Sequence, residues 1–131
     1  MGDAEVLLNA RDLIACHEAW KLTLWAAVFT RTPLTREQVD QIVYPERCPI
    51  GRWLGSPASS SVRDRSEYAE VVENHDEFHQ EMMQVASLLA KKDYQGAAGA
   101  VADGSAFVMS GRRLALSIVA LNRVERIEVP A

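Results

Sequence analysis

The residue types best suited to binding a transition metal are rare in this sequence, which contains three histidines and two cysteines. His75 and His79 are four residues apart, so in a helix both imidazoles project from one face, one turn apart. Helices offer two nitrogens to one metal at this spacing. The segment has no glutamate directly after the first histidine, so it does not match the zincin motif. The pair is equally compatible with two solvated or hydrogen-bonded imidazoles.

His17 and Cys48 are the residues that would complete a metal site. Three imidazoles buried near one another would each need a hydrogen-bond partner, and a shared cation would supply it. A Cys48 thiolate would complete a shell of three nitrogens and one sulfur, which zinc favours and which cobalt, nickel and copper also accept. Alternatively, His17 is a hydrogen-bonded histidine of the core, and Cys48 is a small buried hydrophobic residue. Cys16 neighbours His17 and points about 100° away on a helix, so it is interpreted as a packing residue.

Five helical segments are predicted to position these residues, and no segment has the alternating pattern of a strand. The segments run from about Ala4 to Thr30, from Thr35 to Tyr44, from Cys48 to Gly55, from about Asp64 or Ser66 to Lys92, and from Tyr94 to about Arg123. Ser-rich residues 58–63 are expected to form a surface loop. The predicted class is all-α, as an antiparallel four-helix bundle with short additional helices that carry the Cys48 segment.

Several local signals support these segments. Asp3 and Asp93 are predicted N-caps, Thr35 and Gln38 form a capping box, and Asp64-x-x-Glu67 is a weaker one. The last segment contains Gly96, Gly99, Gly104 and Gly111, which predict close approach between helices and a kink near Gly104. Apolar stripes at helical spacing are expected to form the core. They comprise Leu13, Ile14, His17, Trp20, Leu24 and Val28 in the first segment, and Tyr68, Val71, Val72, His75, Phe78, His79, Met82, Met83, Ala86 and Leu89 in the fourth. Met109 is also expected to fill the core, whereas Trp25 lies off the His17 stripe, at a dimer surface or against another helix.

Length and composition predict one globular domain, residues 1–131. Hydrophobic residues make up 48% and charged residues 24%, and the net charge of −4 argues against a nucleic-acid partner. No apolar run is long enough to span a membrane, and the acidic start of the chain does not match a signal peptide. Two cysteines do not make a disulfide framework. We therefore expect a cytoplasmic protein with reduced thiols.

The metal-ligating residues and their neighbours resemble the chemoreceptor zinc-binding (CZB) domain. The resemblance is carried by His17-x-x-Trp20-Lys21, by Cys48-x-x-Gly51-x-Trp53-Leu54 and by His75-x-x-x-His79, and it extends from about Leu13 to Leu121. It implies a helical bundle that holds one Zn²⁺ through His17, Cys48, His75 and His79. Trp20, Gly51 and Trp53 match the structural signature of the family.

The resemblance also implies a role and a partner. Domains of this family are bacterial, cytoplasmic sensors attached to chemoreceptors or diguanylate cyclases, and they form homodimers. The chain contains neither a methyl-accepting region nor a GGDEF-type cyclase, so it is either a stand-alone member or a fragment. Its signalling output is expected on another domain or protein.

Three functions are compatible with the sequence. The first is a regulatory module, without enzymatic activity, whose closed three-His, one-Cys zinc site controls an output. The second is a redox sensor of the hypochlorite type, which acts through the zinc-bound Cys48 thiolate. The third is a metalloenzyme with an open three-histidine site, which requires Cys48 to lie outside the metal shell.

Overall fold

All regular structure in the described part of the chain is helical. The computed structural model describes the backbone of residues 2–128 and the side chains of residues 11–57 and 59–124. Within residues 2–128 it has no strand and contains α1 (Gly2–Thr30), α2 (Arg36–Val43), α3 (Pro49–Leu54), α4 (Ser66–Ala90), α5 (Tyr94–Ala100) and α6 (Ala106–Glu128). Two short 3-10 helices, Pro45–Arg47 and Pro57–Val62, flank α3. The predicted all-α class is confirmed. None of the helices, over the residues described, is long and apolar enough to cross a membrane.

Side-chain caps fix the starts of two helices as predicted. Thr35 accepts a hydrogen bond from the Gln38 amide, and its own amide donates to the Gln38 side chain. Asp93 caps α5 by accepting from the backbone amide of Gly96. The capping box predicted at Asp64 is wrong, because α4 begins at Ser66 with Arg65 as its N-cap and no side-chain cap. The cap predicted at Asp3 lies outside the described side chains.

The last predicted segment is two helices rather than one kinked helix. Residues 101–105 separate α5 from α6, and Gly104 adopts a left-handed backbone conformation with φ of +79°. The Ser105 hydroxyl then accepts from the Val108 amide at the start of α6. Glycine adopts positive φ at little cost, and serine is a preferred N-cap. Together these residues end one helix and begin another.

Helix α6 runs antiparallel to α4 and also packs against α1. Against α4, the Phe107 ring stacks on Phe78 at 5.5 Å between centroids, and Arg113 pairs with Glu77. Helix α1 packs against α6, and the residue that follows α1 contacts α5. The Arg31 guanidinium lies over the Tyr94 ring, whereas His17 contacts α6 at Gly111. A single hydrophobic cluster lies between these helices.

Most of the predicted core stripes are buried, with two exceptions among the methionines. His17, Trp20 and Leu24 of α1 are buried, as are both histidines, Phe78 and Met82 of α4. Met83 is 43% exposed and Met109 is 37% exposed, so their assignment to the core is wrong. Successive residues of a helix lie about 100° apart, and burial of Met82 turns Met83 away from the core.

The Ser-rich segment is not the surface loop that was predicted. Residues Pro57–Val62 form a 3-10 helix in which Ser59 and Val62 are buried. The Ser59 hydroxyl donates to the Leu54 carbonyl at 2.8 Å, which ties this segment to the end of α3. A hydroxyl bonded in this way is compatible with burial, because its polar atoms are satisfied.

Candidate metal centre

Three of the four predicted ligands meet in the core. One ligand atom from each of Cys48, His75 and His79 lies within 4.8 Å of the others. All three residues are 2% exposed. The Cys48 sulfur lies 3.1 Å from Nε2 of His75. Ligand atoms around a tetrahedral zinc ion lie about 3–4 Å apart, so this group has the spacing of a metal shell.

Cys48 is placed by the turn that begins α3. It is the N-cap of that helix, Pro49 is the first helical residue, and the Gly51 amide donates to the Cys48 sulfur at 3.4 Å. A Cβ atom on Gly51 would overlap with the carbonyl oxygen of Pro45 and would lie 2.8 Å from Cα of Glu46. Glycine at this position therefore lets the Pro45–Arg47 turn pack against α3, and this packing fixes Cys48.

The other end of α3 is anchored to α4 and to the following 3-10 helix. The Leu54 carbonyl accepts from the hydroxyls of Tyr68, at 2.6 Å, and Ser59. Trp53 is partly buried, and its buried Nε1 has no partner among the described residues. Trp20 of α1 is 8% exposed and belongs to the core cluster. The two signature tryptophans thus contribute to the hydrophobic core or pack against it.

The His79 ring is oriented by the end of α2. Its Nδ1 lies 2.9 Å from the carbonyl oxygen of Ile42, and a carbonyl only accepts, so Nδ1 carries the proton. The neutral ring then has its lone pair on Nε2. Histidines that bind metals commonly donate their other ring N–H to a carbonyl in this way. The sequence did not reveal this backbone partner, because no side-chain signal marks a carbonyl.

His17, the fourth predicted ligand, is buried but lies outside the group of three. It is 3% exposed, and its ring contacts Phe78 edge-to-face with centroids 4.5 Å apart. Its buried Nδ1 has no hydrogen-bond partner among the described residues, while Nε2 lies 3.9 Å from a Glu18 carboxylate oxygen. An unpaired buried nitrogen is costly, and a cation is one partner that would satisfy it.

Burial keeps all three histidines neutral near pH 7. It lowers the pKa of His75 to about 3, with a further contribution from the nearby His79. Burial also lowers the pKa of His17 and that of His79, although the Ile42 carbonyl opposes the shift at His79. Neutral imidazoles have a free lone pair, which is the form that binds a metal.

Burial has the opposite consequence for the thiol of Cys48. It raises the pKa of this group, against the backbone amides of Gly51 and Ile50, which lower it. The thiol is therefore protonated at neutral pH until a cation displaces the proton. One thiol and two or three neutral imidazoles form a donor set that fits Zn²⁺.

Cys16 and Cys48 are both free, and Cys16 is only partly buried. Cys16 is absent from the group of three, in agreement with its interpretation as a packing residue. Cys48 does belong to that group. Cys48 is therefore placed where it could act as a ligand beside His75 and His79.

A comparison with models of protein families shows which family the chain belongs to. The model described as chemoreceptor zinc-binding domain matches residues 17–86, slightly more than half of the chain. The match contains His17, Cys48, His75 and His79. The chain belongs to the CZB family. No curated protein and no solved structure was found to match it. The CZB match ends before α5 and α6, so the contact of α6 with His17 is known from the structure alone.

Proposed function

We propose that this CZB domain is a zinc-binding regulatory module. The observation that carries the proposal is the buried group of Cys48, His75 and His79, in a chain whose family binds zinc. These residues come from the start of α3 and from α4, and His17 comes from α1. A metal held by all four would tie three separate elements together. Its binding free energy would then contribute to the stability of the fold.

His17 is proposed as the fourth ligand. Its unpaired buried Nδ1 supports this role, because a cation would supply the partner that this nitrogen lacks. Four protein ligands make a closed site, whereas catalytic zinc keeps one position open for water or substrate. A closed site is the reason for proposing regulation rather than catalysis, and the absence of enzymatic activity stays a prediction.

A competitive zinc titration against a chromophoric chelator tests the proposal. We expect one zinc per chain in the wild type, and binding weakened by at least about tenfold in Cys48→Ala and in His17→Ala. Cys16→Ala is the matched control, because it removes a thiol one residue from His17 but outside the group of three. Wild-type protein that binds no zinc, or Cys48→Ala that binds as tightly as wild type, would contradict the proposal.

Redox sensing through Cys48 is the second candidate function. A zinc ion would keep the Cys48 sulfur as a thiolate, the form that oxidants attack. Hypochlorous acid would convert the thiolate into sulfenic acid and release chloride. The amide of Gly51 already donates to this sulfur and would favour its anionic form. Mass spectrometry after stoichiometric hypochlorite treatment tests the idea, and an unmodified Cys48 would exclude it.

A homodimer and a separate signalling output are proposed from the family. An exposed apolar stripe on α1 supports the dimer: Leu22, Trp25 and Phe29 are 68%, 52% and 55% exposed, and the last two rings lie 4.7 Å apart. The antiparallel four-helix bundle is also a proposal, supported by the antiparallel packing of α6 on α4 and by the contacts of α1 with α6. Sedimentation velocity of the wild type and of Trp25→Ala tests the dimer, which a monomeric wild type would exclude.

Location and other partners are proposed on the same basis. A cytoplasmic sensor that controls a chemoreceptor or a diguanylate cyclase is the proposal that fits the family. Neither a nucleic acid nor a membrane is proposed as a partner. The net charge of −4 argues against a nucleic-acid partner.

A further inference from the structure

The imidazole of His17 lies directly against the backbone of α6 at Gly111. A Cβ atom built on Gly111 would overlap with Cε1 of His17 and would lie 2.7 Å from Nε2. Real Cβ atoms essentially never approach other atoms so closely. Both residues are buried, so an added methyl group would fit only if the ring moved.

Gly111 occupies the middle of a long helix, where glycine is an unfavourable residue. Its backbone is in the helical region, so no unusual φ angle requires glycine there. The imidazole ring of His17 has close neighbours on two elements. Phe78 packs against one part of the ring at 4.5 Å, and Gly111 lies against another. The close contact with His17 is therefore the feature that accounts for glycine at this position.

A cavity of about 220 Å³ lies beside the ring and is lined by residues of α1, α4 and α6. His17, Lys21, Phe107 and Arg112 are among its lining residues. The cavity gives the ring a direction in which to move when the space at Gly111 is filled. Movement into the cavity would shift the ring from its position against Gly111.

We propose that Gly111 is a positioning residue of the metal centre, which holds His17 where it can act as the fourth ligand. The inference rests on the proposed function, since it assigns α6 a role in the same site. Zinc affinity then depends on how α6 packs against α1. By reciprocity, zinc binding changes the packing of α6, which lies outside the residues matched to the family.

A double-mutant cycle on metal-free protein tests the contact itself. Gly111→Ala is expected to lower the midpoint of thermal unfolding by several degrees in the wild type. In a His17→Ala background the same change is expected to be neutral or stabilising, because the ring is gone and alanine favours a helix. An equal loss in both backgrounds would show that α6 itself needs glycine and would overturn the proposal.

Zinc titration then tests the role in the site. Gly111→Ala is expected to weaken zinc binding by about tenfold or more, as changes that disturb ligand orientation commonly do. In the His17→Ala background it should cause no further loss. The matched control is Gly99→Ala in α5, where an added Cβ meets no atom within 4 Å.

The two failures are distinguishable. The positioning role of Gly111 is overturned if folded Gly111→Ala binds zinc at least as tightly as the wild type and the Gly99→Ala control do. This result would leave the proposed function standing. Wild-type protein that binds no zinc would overturn the proposed function itself, together with any positioning role at that site.

Discussion

At the scale of single residues, the site combines donors whose charge states are set by burial. The histidines are neutral because a buried imidazolium would lose its hydration, and the Cys48 thiol is protonated for the same reason. His79 is held in one tautomer by the Ile42 carbonyl. The imidazoles are therefore ready to bind a cation, and only the thiol has to release a proton first.

Acid should destabilise the metal-free protein through His75. Its pKa is about 3 in the fold and 6.5 as a free group, so the unfolded chain binds more protons between these values. The free energy of unfolding is therefore highest above pH 6.5 with respect to this group and falls as the pH drops toward 3. Urea unfolding from pH 7.5 to pH 5 should show a shallower decline for His75→Gln than for wild type. If the free energies of unfolding of the two proteins fall equally with pH, the result would contradict a lowered pKa of His75.

Zinc binding at pH 7.5 should release about one proton per site, from Cys48. The pKa of Cys48 is raised above 9.0, whereas the histidines are already neutral. Calorimetry in two buffers of different ionisation enthalpy measures the number of protons. Cys48→Ala should release close to none, and equal proton release by the two proteins would exclude a thiolate ligand.

At the scale of secondary structure, the short helix α3 has little stability of its own and depends on its contacts. Six residues are too few for a stable isolated helix. The Pro45–Arg47 turn packs at one end against Gly51, and hydroxyls of Ser59 and Tyr68 bind the carbonyl of Leu54 at the other. These contacts hold Cys48 against α4.

Gly51→Ala should therefore lower the free energy of unfolding by about 2 kcal/mol, as overpacking in a core commonly does. The added methyl group would overlap with the carbonyl oxygen of Pro45, a backbone atom that cannot rotate away. Gly55→Ala is the control, because its Cβ would meet only the Gly51 oxygen at 3.7 Å. Urea unfolding measures both variants, and equal stability of the two would contradict the packing account.

The sequence predicted the elements better than their junctions. Helical periodicity located α1 and α4, and side-chain caps located the starts of α2 and α5. The break between α5 and α6 was only predicted as a kink, because helical spacing continues across it and the break depends on the left-handed conformation of Gly104. Rare residue types identified Cys48, His75 and His79. The roles of Ile42 and Gly111 depend on backbone contacts between distant elements, which single-sequence patterns do not contain.

At the scale of the whole molecule, four helices contribute to the proposed metal centre. Cys48 begins α3, His75 and His79 lie in α4, and His17 of α1, the proposed fourth ligand, contacts α6 at Gly111. A ligand that binds the folded chain but not the unfolded chain stabilises the fold according to its concentration relative to its Kd. If zinc binds as proposed, its occupancy would therefore be linked to the packing of the long helices.

Thermal unfolding should report this linkage. Zinc at about 100 times its Kd should stabilise the fold by about 2.7 kcal/mol, which corresponds to an increase of several degrees in Tm. The increase should be much smaller for Cys48→Ala and unchanged for Cys16→Ala. An equal Tm for zinc-loaded and metal-free wild type would show that the metal does not bind preferentially to the folded state.

The most direct test of the account is zinc-edge X-ray absorption spectroscopy of the wild-type protein loaded with one equivalent of zinc. If Cys48 and the three histidines bind the metal, we expect one sulfur at about 2.3 Å and three nitrogens at about 2.0–2.1 Å from it, with imidazole scattering from three rings. Cys48→Ala should lose the sulfur contribution. A wild-type spectrum without sulfur, or one that indicates zinc surrounded only by oxygen ligands, would contradict a metal centre built from Cys48 and the three histidines.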